Sequence, residues 1–261
     1  MPCLDETSRA TGSRGGGVRL YWKDEGAAFV ASKPKLRSLH LEPKKLTGLV
    51  YLTSELVEDS QVLEAFVRRS FVNEYAFMFD DMVLRGLGAG QPLGILNSGS
   101  LVIQDAEVGQ ATKTVIYDNL CKMLGRLLPG SFDRAVWAIN SDVLPQLLKV
   151  SIVGGVGSTP VFVVNAAGKP PGTLFGLPIL VCEQCSTLGA VGDILLLDLG
   201  HYILAQKGQL QTALSAHIKF VEDEIVLRFR LRFDGQPEYS AALTPYQGTL
   251  GQSAFVALSA R

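Results

Sequence analysis

Charge in excess of either sign is what this sequence of 261 residues lacks: 24 Lys and Arg stand against 25 Asp and Glu, a net charge of −1. That balance argues against a dedicated nucleic-acid binder, which carries a strong basic excess, and it leaves little repulsion between like copies. Histidine is limited to His40, His201 and His217, each in an alternating, strand-like setting. Neither an H-E-x-x-H motif nor a G-x-S-x-G elbow occurs. No apolar run approaches about eighteen residues, and MPCLDETSRATGSRGGG lacks the apolar centre of a signal peptide, so a soluble chain made inside the cell is expected. The four cysteines are Cys3, Cys121, Cys182 and Cys185. CEQC at 182–185 has the spacing of half a zinc site, but a second pair of ligands is missing. GLPILVCEQC also reads as a strand end rather than a helix N-terminus that would activate a thiol. The acids Asp80-Asp81 and Glu222-Asp223-Glu224 read as solvated groups. No catalytic constellation forms, and no enzyme activity, cofactor or metal is expected.

What the chain does have is apolar material, 47% of its residues, enough for one large or two intimately joined domains. VRLYW (18–22) and LRSLHL (36–41) flank the polar stretch KDEGAAFVASKPK, which predicts a long hairpin. At roughly 3.3 Å per residue such an arm is about 50 Å long, against a radius of gyration of about 18 Å for a compact chain of this size. An isolated two-stranded ribbon is marginal in water, so the arm is expected either to fold back on its own domain or to lie on a neighbouring molecule.

Beyond it, Thr53 or Ser54 is a candidate cap, with Glu55 and Glu58 in the first turn. Apolar groups then recur at helical spacing (Leu63, Phe66/Val67, Ser70/Phe71, Phe77/Met78, Met82) and predict one long helix to Leu87. The helix runs into GLGAGQPLG (86–94). A phosphate-binding glycine loop lies between a strand and a helix N-terminus. Here the glycines follow a helix, whose C-terminal carbonyls repel phosphate. Gly86, Gly88 and Gly90 therefore read as a structural turn, with Gly86 or Gly88 the left-handed cap. A more mixed region follows, with helices at 114–129 and over DVLPQLLKV, the latter capped by Ser141 or Asp142. Strands are expected at RAVWAIN, VFVV and FGLPILV, an arrangement that looks like a lobe inserted between two halves of another. In EIVLRFRLRFDG, Ile225, Leu227, Phe229, Leu231 and Phe233 point one way, and Val226, Arg228, Arg230 and Arg232 the other, the latter as a solvated face.

The text YWKDEGA, KKLTGLVYLTSELVEDS, NEYAFMFDDMVLRGLGAGQPLGIL, VWAINSDVLPQLLKV, LFGLPILVCEQC, GDILLLDLGHYILAQKG and RFDGQP runs in collinear order from Tyr21 to Pro237. Together it resembles tailed-bacteriophage major capsid proteins of the Hong Kong 97-type fold. The resemblance implies an α+β fold: a short N-terminal segment (1–13), an extended E-loop hairpin (14–47), a P-domain on a long spine helix (48–105 and 199–235), and an inserted A-domain (106–198 and 236–261). It implies a coat protein that self-assembles as hexamers and pentamers into an icosahedral shell around phage double-stranded DNA. Such a protein is made in the bacterial host cytoplasm and resides in the virion. Its implied partners are itself, a separate scaffolding protein, a portal and non-specifically held DNA, with no membrane. The inter-subunit contact candidates are Trp22 and Phe29 as buried anchors and Glu25, Arg37, Arg68 and Arg69 as charges that set register. Some relatives crosslink a loop Lys to an Asn with the help of a Glu. Asp223 and Arg230 stand near those two positions here, so no covalent crosslink is expected although Lys23, Lys33 and Lys35 lie in the loop. Only the segment 1–13 precedes the arm, which implies a separate scaffold, an upstream cleavage or a truncated prophage copy. An encapsulin-like bacterial compartment shell is the alternative.

Overall fold

The computed structural model describes residues 1–55, 63–152, 159–160, 172–219 and 221–261. The expected strand VFVV and the acid Glu58 lie outside the described residues. In chain order the elements are β1 (Pro2–Leu4), β2 (Leu36–Ser38), β3 (Lys44–Thr53), α1 (Leu63–Arg85), β4 (Val102–Gln104), α2 (Tyr117–Gly125), β5 (Val136–Ile139), α3 (Leu144–Lys149) and β6 (Ser151–Ile152). They continue with β7 (Thr159–Pro160), β8 (Thr173–Leu174), β9 (Leu177–Val181), β10 (Ile194–Leu197), β11 (Tyr202–Gln206), β12 (Gln211–Lys219), β13 (Glu224–Pro237) and β14 (Phe255–Leu258). The chain divides into two compact units. The first comprises Met1–His40, Ile95–Ile203 and Pro237–Arg261; the second comprises Leu41–Gly94 and Leu204–Gln236.

The first unit is built on a six-stranded mixed sheet in the order β4-β14-β10-β5-β9-β8. Its central strands ILLL (β10) and FVAL (β14) are buried at every position, as strands covered on both faces must be. Trp137, Ile139, Ile194, Leu196, Val256 and Leu258 form one core with Leu120 and Met123 of α2 and Leu147 of α3. The indole N–H of Trp137 donates to the Leu174 carbonyl at 3.1 Å, which satisfies the one polar atom of a fully buried side chain. The helical region after β5 opens differently from expectation. Asn140, not Ser141 or Asp142, is the cap, its side-chain oxygen accepting from the Asp142 N–H at 3.0 Å. The chain turns one residue earlier than the sequence pattern suggests because a short 3-10 segment (Ser141–Val143) precedes α3.

The second unit is a four-stranded antiparallel sheet around β13, which pairs with β3 along Glu224–Phe233 and with β12 and β11. The alternation read from the sequence holds from Leu227 to Phe233, where Leu227, Phe229, Leu231 and Phe233 are buried and α1 covers that face; Val226, expected on the solvated face, is buried as well. Phe71 stacks on Phe229 at 3.7 Å between centroids, and Tyr75 and Phe79 meet Phe233 at 6.2 and 5.9 Å. Gly48, opposite Phe229 in the register, makes room for this, since a Cβ there would lie 2.3 Å from the Phe71 ring. Of the expected set, Val67, Phe71 and Met82 lie on the inward stripe of α1, which Tyr75 and Phe79 complete, whereas Phe66, Phe77 and Met78 do not. Those three and Val72 are exposed. With apolar groups all around the helix, spacing alone cannot select the buried face. The Ser54 hydroxyl donates to Asp223, at 2.8 Å to the carboxylate and 3.0 Å to the carbonyl; the turn that a cap at Thr53 or Ser54 would serve lies outside the described residues.

α1 ends at Arg85, and the glycine run folds back on itself. The Gly88 N–H donates to Pro92 at 3.1 Å and the Gly94 N–H to Gly86 at 2.8 Å. Gly88 and Gly90 take the left-handed backbone (φ +76° and +74°), and Gly86 does not. The Gly86 N–H still bonds the Met82 carbonyl as in a helix, so Gly86 is present for close approach: a Cβ would sit 2.3 Å from the Pro92 carbonyl oxygen. The run is a turn, and no phosphate cradle forms. Gly86→Ala is expected to destabilise this unit by about 3 kcal/mol through backbone overlap. Gly90→Ala, with open space but left-handed φ, is expected to cost only about 1 kcal/mol. Urea titrations of the two variants that reverse this order would remove the close-approach explanation.

Candidate functional site

The segment from Gly15 to Lys35 leaves the first unit as a loop closed at three levels. The Lys35 N–H donates to the Gly16 carbonyl at 2.6 Å, the Arg19 N–H to the Ser32 hydroxyl at 3.2 Å, and the Ala27 N–H to the Asp24 carbonyl at 3.2 Å. These bonds share one register, which places Trp22 opposite Phe29 and Tyr21 opposite Val30. The tip is a turn with Gly26 at φ +76°, the third-position glycine that a type II turn requires. The two long paired strands expected here do not form. Gly15, Gly16 and Gly17 all take positive φ, which interrupts an extended strand. LRS pairs instead with the N-terminal PCL as β1-β2. The base is pinned on both sides: the Asp5 N–H donates to the Lys35 carbonyl at 2.9 Å, and the Arg37 guanidinium to the Glu238 carbonyl.

The far end of this loop is bare. Leu20, Trp22 and Phe29 expose 98, 103 and 98% of their reference surface, against 45 and 49% for Tyr21 and Val30. In this register the three fully exposed groups fall on one side of the loop and the half-covered pair on the other. Glu25 sits at the tip, exposed. Trp22, Glu25 and Phe29 are therefore brought together, and Arg37 lies at the loop's base. Arg68 and Arg69 are exposed on α1 in the second unit. Leu20, the third member of the apolar end, escapes a reading of sequence alone. The signal for it is the Asp-Glu-Gly-Ala turn, which once centred fixes which residues share a face.

The outer face of the second unit's sheet carries Lys45, Leu49 and Tyr51 of β3 in register with Arg232, Arg228 and Val226 of β13. Lys219 lies over the Tyr51 ring at 5.4 Å, and Arg230 is tied to the Gln211 amide oxygen at 3.2 Å. In the first unit, a buried acid at the end of β10 escapes motif reading. Asp198 binds Arg134 at 2.9 Å. Burial pushes its carboxyl up, but the Arg134 guanidinium and the Gly200 N–H outweigh that and hold it below the ordinary carboxylate range. His201 Nδ1 lies 2.7 Å from Glu238 Oε2, with the Tyr239 ring at 5.2 Å; burial raises the Tyr239 hydroxyl. These groups are engaged by one another. Cys182 and Cys185 follow β9, with Cys185 buried, and are not joined in a disulfide. Among the described residues no cluster of three or more His, Cys, Asp or Glu is arranged to hold a metal, and no helix is long and apolar enough to cross a membrane.

The distinguishing feature of the described residues is the exposed apolar end of the 15–35 loop. Comparison with known proteins points the same way. No curated protein sequence matches the chain. Among solved structures, the capsid of the native GTA particle, computed with C5 symmetry, superposes with a TM-score of 0.73 at 16% identity, covering 100% of this chain and 85% of that one. The capsid of the empty GTA particle gives 0.70 at 18% over the same shares. The chain from Gordonia phage Cozz gives 0.66 at 11%, covering 99% of this chain and 80% of that one. These likenesses establish the fold as that of capsid chains. The model of the phage capsid family matches residues 5–248, so this chain belongs to the phage capsid family.

Proposed function

We propose that this chain is the coat subunit of an icosahedral shell of the Hong Kong 97 type, assembled from hexamers and pentamers around double-stranded DNA. The observation that carries the reading is the apolar end of the 15–35 loop, where Leu20, Trp22 and Phe29 find no cover within the subunit. Three such side chains in water, on a protein with net charge −1, favour association. In this reading 14–47 is the E-loop, laid on an adjacent subunit with Glu25 setting register against basic groups there. Residues 48–105 and 199–235 are the P-domain, and 106–198 with 236–261 the A-domain. Contacts of this kind are individually weak but repeat around a closed surface that leaves no free edge. The shell is held without covalent crosslinks: Asp223 is engaged by Ser54, and Arg230 by Gln211. Scaffolding protein and portal are partners of the shell rather than of the isolated subunit.

Size-exclusion chromatography followed by negative-stain microscopy of the purified chain tests this. Shells, or rings of five and six, are expected. A folded monomer that stays monomeric at high concentration, with or without crowding agents, would count against self-assembly through the loop.

A further inference from the structure

A cleft of about 330 Å³ opens in the first unit, on the N-terminal side of the loop's base. Its wall carries Arg14, Arg19, Thr11 and Ser13, with Tyr21 and Tyr246 at its sides. Arg9, also on the wall, is neutralised by Glu6 at 2.5 Å. No carboxylate lines the cleft. Among the described residues, neither the Arg14 nor the Arg19 guanidinium meets an acid or a hydrogen-bond acceptor. Two unneutralised guanidinium groups facing a shared cavity repel one another, an arrangement that an anion between them relieves. The cleft is also built rather than incidental. The Arg9 N–H donates to the Thr244 carbonyl at 2.7 Å and the Thr244 N–H to the Thr7 carbonyl at 3.1 Å, which fixes one wall to the other. Tyr246 rests on Gly12, where an added Cβ would stand 3.3 Å from the ring. The Thr11 and Ser13 hydroxyls lie 3.1 Å apart, so one of the two keeps its O–H available to donate to another acceptor.

A carboxylate needs only one guanidinium fork. Two forks plus hydroxyl donors and flanking aromatic rings suit a tetrahedral oxyanion carrying an organic group. We propose that this cleft binds a phosphate ester through Arg14, Arg19, Thr11 and Ser13. The source assigned to it, the phosphodiester backbone of enclosed nucleic acid, rests on the shell reading above. The near-neutral net charge does not oppose this, since a few local contacts suffice for non-specific binding.

The test uses the full-length chain and a fluorescein-labelled DNA duplex, with anisotropy followed across a salt series. Arg14→Gln/Arg19→Gln removes both charges while keeping a polar, unbranched side chain, and breaks no ion pair among the described residues, so the fold is preserved. It is expected to weaken binding about tenfold or more at low salt and to lower the slope of log K against log salt by about 2, one for each lost phosphate contact. Arg228→Gln/Arg232→Gln removes the same charge from the exposed sheet face and is expected to do less on both measures. Equal losses from the two pairs would overturn the site in favour of bulk charge. Saturation by inorganic phosphate with no retention of duplex would overturn the nucleic-acid source, and displacement by a Glu-rich peptide as readily as by DNA would overturn phosphate recognition. Light scattering on the same samples separates this proposal from the one it rests on: shells that form normally while the cleft variant binds DNA like the parent sink only the cleft.

Discussion

Replacing Trp22 and Phe29 together by Ala is expected to abolish particle formation at concentrations where the parent chain assembles, while leaving the subunit folded. Each aromatic contributes about 1.5–3 kcal/mol when it moves from water into an apolar contact, so the pair is worth about 3–6 kcal/mol per loop. At a factor of ten per 1.4 kcal/mol, one loop contact weakens by a factor on the order of 10² to 10⁴. Because every subunit in a closed shell depends on such a contact, the loss compounds along the lattice rather than averaging out. The folding control is unusually clean. At 103 and 98% exposure the two side chains have almost no cover in the subunit. Their removal should shift stability by no more than about 0.5 kcal/mol, about 2 °C or less in Tm for a chain of this size. Circular dichroism melts and sedimentation velocity on one preparation read both halves of the expectation. A double variant that closes shells at the parent's concentration would show that the loop finds no shelter on neighbours. Leu20→Ala alone should move assembly the same way by about half as much in free energy, since one anchor worth about 1.5–3 kcal/mol is lost instead of two.

Much of this molecule was legible from its sequence, and the limits have identifiable causes. The stretch Arg228–Phe233 of β13 was readable because RFRLRF alternates charge with bulk, a pattern only one pleat satisfies, whereas Val226, with no charge to mark its face, was expected in solvent and is buried. The glycine turn was readable because the order helix, glycines, strand inverts what a phosphate loop needs. The buried face of α1 was not, since Phe66, Phe71, Phe77 and Phe79 offer two plausible stripes. Gly48 and Phe229 on another element decide between them by leaving a slot for Phe71. The cap of α3 was misplaced by one residue because Asn140, Ser141 and Asp142 are all good caps and only the exit angle of β5 chooses. In the arm, the sequence carries strand-forming VRLYW but also three glycines before it; their left-handed backbone overrides propensity, and the N-terminal PCL takes the partner that VRLYW would have had. The exposed anchors Trp22 and Phe29 were nameable as large apolar groups beside a polar tip, whereas Leu20 required the register.

Long-range ion pairs are the kind of feature that no local pattern reveals, and the largest expected stability effect rests on one. Asp193, at the entry to β10, and Arg261 meet as a two-bond fork with distances of 3.2 and 2.7 Å. Their side chains are 0 and 1% exposed. Asp193 also accepts from the Gly189 N–H at 2.9 Å, and Arg261 donates to the Thr114 and Ser259 carbonyls, so the charges are paired and their remaining hydrogen-bonding capacity is used. Removing one member of such a pair strands the other without solvent, which costs about 3–5 kcal/mol. Arg261→Ala is therefore expected to lower the stability of the six-stranded unit by that amount, a large part of the 5–15 kcal/mol that a typical domain possesses. Arg261→Lys keeps the charge but loses the fork and should fall between the parent and Ala, which preserves the test if the Ala variant is insoluble. Asp193→Ala/Arg261→Ala should be less damaging than the sum of its single variants, because no lone charge remains. Guanidinium titrations read all four proteins, and additive losses would show that the two groups do not act as a pair. Residues 1–40 belong to this same unit, so the platform from which Trp22 and Phe29 project depends on a contact made by Arg261. Arg261→Ala should consequently impair assembly at temperatures where α1 and its sheet remain folded, a separation that the Trp22 and Phe29 variants, which leave every melt unchanged, cannot produce.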